Sequence, residues 1–366
     1  MDNNESILFL YGTSRFKNNA YSFRLDKFKD YFSMNNYRVE SIYLNDSAFP
    51  VPSLFQPLNL PFFLKELRKS DLIHAGNTPC AYLCKISQKA TEKKFVYDVH
   101  GNLIQENLLN YNKYNILDIY NMYQAKIMES IARFSNYFIT CSAPLKSYYV
   151  NLGVEPHNIE IIRNGVDLNT FKPIKCDSTN EEFIVTYAGG FQKWQGIDNL
   201  IDAMKLINKN NIKFKIIGFT SKDQLLKKKL YSEFGESVCL IDSLKREELI
   251  RQLNASDLLI IPRNKHPAIE YAFPTKFAEY ISIGKPVLVT NVDETAEFVK
   301  KYNCGFVCDP NPRSIAEVII AANNVSEKNL NKMGQNGRKL AEIEFDQNFI
   351  NERYLNFVSR ILDEAI

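Results

Sequence analysis

The chain has 366 residues, 45% of them hydrophobic, and a net charge of +3, which is enough to bury cores in two domains of ordinary size. So small a charge, spread along the chain, argues against nucleic acid as the main partner, although local clusters could still touch an anionic membrane. Seven cysteines is an odd number, and Cys80/Cys84 and Cys304/Cys308 are spaced one residue too widely for a C-x-x-C motif, so reduced structural thiols are expected rather than a disulfide frame or a zinc site.

The opening MDNNESILFLYGTS is acidic and polar ahead of a very short apolar run, unlike a secretory signal, and no apolar run reaches membrane-spanning length. A cytoplasmic location is expected, with contact at the inner face of the cell membrane left open. Residues 6–11 read as a buried first strand that ends at Gly12 in a ligand-facing loop. A helix over 20–32 and a strand over 37–43 follow. Residues 50–61, rich in Pro, Leu and Phe and without charges, suit a packed connector or part of an apolar acceptor surface. Strands are expected at 71–75 and 94–99. The second of these ends in His100 and Gly101, where open parallel sheets place ligand-contacting groups, although a lone histidine there can equally be a satisfied structural residue. His74 stands at a similar strand end, supported by position alone. The helical period over 116–134 assigns Ile116, Ile119, Tyr120, Tyr123, Ile127 and Ile131 to its core face. Strands at 137–141 and 158–162 complete a first domain spanning 1–170.

Residues 171–182 are polar and read as the interdomain linker, after which the alternation of strand and helix restarts and runs over 183–345. In the loop Gly189 to Gly196, glycines permit close approach by a phosphate. The stretch 258–290 reads as a strand, a polar loop holding His266 and Glu270, a helix opening at Pro274 and Thr275, a stop at Gly284, and a further strand. Free amides at that helix start suit a diphosphate. Lys276 adds a positive charge, and Glu279 can accept hydrogen bonds from paired sugar hydroxyls. The constellation fits a nucleotide-sugar, while an ordinary solvated Lys/Glu pair is the plainer alternative. Residues 346–366 read as an amphipathic helix with Tyr354, Phe357, Ile361 and Leu362 on its apolar side.

Four stretches, YDVHGNL from Tyr97, IEIIRNGVDLNTFKP from Ile159, YAGGFQKWQGIDNLIDAM from Tyr187 and PTKFAEYISIGKPVLVT from Pro274, together resemble the retaining glycosyltransferases of the GT-B fold, family four. The resemblance implies an α/β architecture of two Rossmann-like, doubly wound domains facing a central cleft, with the last helix crossing back onto the first domain. It implies transfer of a sugar from a nucleoside-diphosphate-sugar donor to a hydroxyl of a sugar or lipid-linked glycan acceptor, in cell-surface polysaccharide or glycolipid assembly. No metal or other cofactor is expected. His100 would face the reacting sugar and share the catalytic work with Lys276 and Glu270; Gly190, Lys193, Pro274, Thr275, Lys276 and Glu279 would hold the donor; Glu106 would be an acceptor-side carboxylate.

The chain departs from the family pattern at several places. Gly12 is followed by Thr13, Ser14 and Arg15 where relatives carry a glycine pair, Gly190 or Phe191 stands near their arginine, and Gln195 replaces their lysine, leaving Lys193 to supply the charge. Eight residues, YAFPTKFA, rather than seven separate Glu270 from Glu279. Two other readings therefore stay open at this point: a sugar-nucleotide epimerase on the same fold, and a catalytically silent subunit that binds sugar nucleotides.

Overall fold

A computed structural model describes residues 5–12, 20–44, 60–109, 111–175, 182–207, 209 and 211–364. Most of the expected connector at 50–61, the loop residues Thr13 to Arg15, and positions 176–181 of the expected linker lie outside the described residues. The chain divides into two compact units, one made of Met1–Asn164 with Asn348–Ile366, the other of Gly165–Gln347. No helix among the described residues is long and apolar enough to cross a membrane, and no disulfide joins the six described cysteines.

In the first unit, β1 (Ser6–Tyr11), β2 (Arg38–Tyr43), β3 (Leu72–Ala75), β4 (Lys94–Val99), β5 (Tyr137–Thr140) and β6 (Ile159–Ile161) form a parallel sheet in the order β2-β1-β3-β4-β5-β6. The apolar runs of β1, β3 and β5 are buried along their whole length, as expected of strands covered on both faces. The helix Gln347–Asp363 joins this core, packing Tyr354, Phe357, Val358 and Ile361 with Phe9, Phe28 and Phe32.

The helix Ile116–Ala132 corrects the face read from its sequence. It buries Met122, Ala125, Met128 and Ala132 together with Gln124 and Glu129, whereas Ile116, Ile119, Tyr120 and Tyr123 are exposed. Two apolar stripes compete on this helix, and a polar anchor decides between them. Glu129 accepts a hydrogen bond from the buried Tyr149 hydroxyl, so the side bearing Glu129 must face inward.

In the second unit, β7 (Phe183–Ala188), β8 (Ile212–Phe219), β9 (Val238–Asp242), β10 (Leu258–Ile261), β11 (Val287–Thr290) and β12 (Gly305–Cys308) give a second parallel sheet in the order β12-β11-β10-β7-β8-β9. Residues 165–175 belong here, although 165–170 were expected with the first domain and 171–175 in a linker. The Val166 amide donates to Phe345 O at 2.8 Å, Arg338 Nη1 donates to Phe171 O at 2.8 Å, and the Ile174 amide donates to Asn254 Oδ1 at 2.7 Å. A polar composition suggested a free connector, but its backbone groups are claimed by partners distant in sequence.

The helix Thr275–Ser282 is braced by the helix Glu327–Glu344. Gly334 on the second helix lies so close to Gly284 that a Cβ there would meet Gly284 O at 1.9 Å. Since backbone would have to shift, Gly334→Ala is expected to destabilise the protein by about 1 to 3 kcal/mol. An unfolding midpoint equal to that of the parent would show that the two helices can part without cost.

Candidate functional site

In an open parallel sheet, ligands bind beyond the carboxyl ends of the strands where the strand order reverses. The second sheet reverses between β7 and β10, and the residues expected to hold the donor gather there. Tyr280, buried on the helix Thr275–Ser282, receives a hydrogen bond from the Ala188 amide at 2.9 Å and donates to Ala188 O at 3.2 Å. This fastens the helix to the end of β7. Lys276, one turn earlier, then reaches Gln195 Oε1 at 2.9 Å and the Tyr187 hydroxyl at 3.3 Å, with Nζ 4.5 Å from the centre of the Tyr187 ring.

Of the glycines expected to permit close approach, Gly189 has φ +149 and lies against Lys276, a Cβ there falling 2.3 Å from Nζ, while a Cβ at Gly190 would meet the Gln192 side chain. A side chain there would displace the ammonium, and the positive φ itself favours glycine. Lys193 is exposed and contributes its carbonyl to Asn264 Nδ2 at 2.8 Å, while Gln195, the departure from the family lysine, is the residue that meets Lys276. His266 and Glu270 were expected in a loop. Instead His266 caps a short helix, Pro267–Tyr271, accepting from the Ala268 amide at 3.1 Å, because Pro267 fits the first helical turn without needing an amide partner. Glu270 therefore sits on a different helix from Glu279. Pro274 is the cap of the helix Thr275–Ser282, Thr275 its exposed first residue, and Glu279 lies partly buried one turn on.

Burial pulls the Lys276 ammonium down to about 7, the charge of Arg263 adds to the effect, and Glu279 opposes it. Arg263 is buried and donates to Asp293 Oδ2 at 2.5 Å, so its own charge is already matched. Lys276 instead donates to the neutral Gln195 and Tyr187.

The first unit has a cluster of its own, on β3, β4, the residue after β4 and the helix Ala20–Met34. Asp98 on β4 is fully buried. Arg24 Nε and Nη2 meet its two oxygens at 3.0 and 3.3 Å, His74 Nε2 on β3 lies 3.5 Å from Oδ2, and His100 Nε2 lies 3.3 Å from the same oxygen. Burial alone would raise this carboxyl, but Arg24 and His100 hold it well below the ordinary carboxylate range. His74, fully buried, is held below its usual value, chiefly by desolvation, and its Nδ1 lies 2.6 Å from the Tyr354 hydroxyl. His100 keeps 27% of its side chain exposed, and burial raises the nearby Glu106 carboxyl. The reading that emphasised His100 missed Asp98, Arg24 and Tyr354. The available signal was the aspartate inside the otherwise apolar run FVYDV, since a charge within a central strand needs a partner.

The family model described as Glycosyl transferases group 1 matches residues 170–340, and that described as Glycosyltransferase Family 4 matches residues 15–170. The capsular polysaccharide biosynthesis glycosyltransferase CapM of Staphylococcus aureus is 23% identical over 350 residues, covering 88% of this chain and 87% of that protein. The UDP-Gal:alpha-D-GlcNAc-diphosphoundecaprenol alpha-1,3-galactosyltransferase of Escherichia coli is 26% identical over 325 residues, covering 81% and 80%. The structure of Anabaena HepE in complex with UDP and glucose matches with a TM-score of 0.72 at 19% identity, over 98% of this chain and 100% of that one.

An anion laid against Lys276 would favour its charged form, so binding of a nucleoside diphosphate should take up a proton. Affinity should be greatest below about pH 7 and weaken above it, by up to about tenfold per pH unit until the pKa of the bound form is reached. Calorimetry with UDP in buffers of differing ionisation enthalpy reads both effects. An affinity that stays flat through this range would place Lys276 away from the phosphates.

Proposed function

Because the chain belongs to the group 1 glycosyltransferases and has their GT-B fold of two Rossmann-like domains, we propose that it transfers a hexose, with retention, from a uridine-diphosphate donor to a hydroxyl of a lipid-linked glycan in cell-surface polysaccharide or glycolipid assembly. The observation that carries the donor assignment is the place of Lys276 at the reversal of the second sheet, beside the first turn of the helix Thr275–Ser282. The departing diphosphate gains charge as the glycosidic bond breaks. A fixed ammonium and free helix amides stabilise that charge without rearrangement, so the reading requires no metal ion. Glu279 accepts from the ribose hydroxyls, Glu270 serves the sugar, and His100 steadies the transferring sugar as positive charge develops on it. The relatives named above are transferases, which favours transfer over the epimerase and silent-subunit readings.

With UDP-glucose and UDP-galactose as probes, UDP release should persist in excess EDTA, and Glu279→Ala should weaken UDP binding by about 1 to 3 kcal/mol. His100→Ala should lower kcat by about 10² or more while UDP affinity and melting temperature hold. Abolition by EDTA with rescue by magnesium or manganese would overturn the metal-free phosphate site. A normal kcat in folded His100→Ala would remove that residue from the reaction.

The location we propose is the cytoplasm, at the membrane surface. Supporting this, the outer face of the helix Ile116–Ala132 and the segment before it expose Tyr111, Tyr114, Ile116, Tyr120 and Tyr123. Lys113 and Lys126 are exposed beside them. Aromatic rings with an apolar body and a polar tip suit the headgroup level, and lysines among them complement anionic lipid. The chain should co-sediment with phosphatidylglycerol vesicles more than with phosphatidylcholine vesicles, and Ile116→Ser combined with Tyr120→Ser should abolish this. Equal sedimentation with both lipids, or with neither, would reject the surface.

A further inference from the structure

Lys276 is held by acceptors that the chain itself supplies, and we infer that Gln195 is the residue that positions its ammonium, so that one of the three donors remains for a diphosphate oxygen. This rests on the reading that Lys276 meets the phosphates of the donor. An ammonium can only donate, and Nζ directs one donor to Gln195 Oε1 at 2.9 Å and another to the Tyr187 hydroxyl at 3.3 Å. That hydroxyl gives its own proton to Gly190 O at 2.5 Å, which leaves its oxygen to accept. The Tyr187 ring closes one side, its centre 4.5 Å from Nζ, and Gly189 another, since a Cβ there would fall 2.3 Å away. Among the described residues no acceptor takes the third donor.

The carboxamide comes from a turn that is itself fixed. In the turn Lys193–Gln195, Asn264 Nδ2 donates to Lys193 O at 2.8 Å, the Asn264 amide donates to Trp194 O at 3.3 Å, and the Gln195 amide donates to Gln192 O at 2.8 Å. Gly196, at φ +72, lies against the residue after β10, where a Cβ would meet Pro262 O at 1.7 Å. None of these contacts uses the Gln195 side chain, whose one hydrogen bond among the described residues is the one from Lys276. A lysine at this position would carry donors alone and set a second ammonium beside the first. Glutamine accepts without adding charge. The charged groups facing Lys276 are then Arg263, which is paired with Asp293, and Glu279 on the same helix, while burial keeps the Tyr187 and Tyr280 phenols neutral.

The test is calorimetry of UDP binding to the full chain between about pH 6 and 8.5, around the ionisation of Lys276, with each variant compared to the parent so that the titration of UDP itself cancels. Gln195→Met keeps the length of the side chain and removes the acceptor, and should weaken UDP binding about tenfold near neutral pH. Because the acceptor supports the charged form of Lys276, its loss lowers that group, and affinity should begin to fall about half a pH unit or more below the point at which it falls in the parent. Gln195→Glu sets a carboxylate beside the ammonium and raises Lys276. Its affinity should therefore hold to higher pH than the parent's, while being weaker at about pH 6 because the carboxylate competes with the phosphates. A residue that merely shaped its turn would behave otherwise, and a uniform loss at every pH in both variants would overturn the inference. In a Lys276→Met background Gln195→Met should add almost nothing; an undiminished effect there would also overturn it, by showing that Gln195 acts elsewhere. If Lys276→Met binds UDP as the parent does, the reading of Lys276 has failed and the inference with it. If Lys276→Met weakens binding and Gln195→Met does not, that reading stands and the inference alone falls.

Discussion

A charge removed from water must be met by partners that hold it, and each unit of this protein contains an example. In the first it is the Asp98 carboxylate, gripped by Arg24 and flanked by two imidazoles. In the second it is the Lys276 ammonium, resting on the Tyr187 ring and hydrogen-bonded to Gln195. The two are balanced differently. Asp98 has a matched cation and stays ionised, whereas for Lys276 burial and the charge of Arg263 outweigh the pull of Glu279 and bring it down to about 7. A group matched within the fold serves to hold something else in place. A cation left without a full counter-charge is ready for a ligand that brings one.

Parallel sheets explain why both charges lie where they do. Every strand of such a sheet sends its carboxyl end to the same edge, and a reversal of strand order opens a gap between the loops leaving that edge. In the second unit Tyr280 bonds the end of β7 to the helix after β10, across this reversal. In the first unit Asp98 and His74 come from neighbouring strands, β4 and β3, and the last helix supplies Tyr354 to His74. Residues 280 positions apart thus meet in one hydrogen bond.

The departures from the family pattern gain a physical meaning in this setting. Gln195, standing where relatives carry lysine, spares Lys276 a second like charge at close range and gives it a neutral acceptor instead. Lys193 does not take over, since its side chain is exposed while its carbonyl supports Asn264.

Much of the architecture was legible in the sequence because it follows from local rules. Apolar runs of four to eight residues such as SILFLY and LLII can only be buried strands in a chain that alternates them with helical periods, and Pro274 and Gly284 bound the helix Thr275–Ser282 through their own backbone preferences. Lys276, Glu279 and His100 stood out because their neighbours in sequence carry a recognisable pattern. What the sequence could not decide was every choice between locally equal options. Two stripes of the helix Ile116–Ala132 were both apolar, and the hydrogen bond from Tyr149 to Glu129 settled which faced inward. Residues 171–175 looked like a linker until Arg338 and Asn254 claimed their backbone. Gly189 makes room for Lys276 from a distant loop, and Arg24 rather than any neighbour of Asp98 neutralises it. Each of these depends on a partner 20 or more residues away. Only the folded chain brings those partners together, because hydrogen bonds and ion pairs act over a few ångströms of space and are indifferent to distance along the sequence.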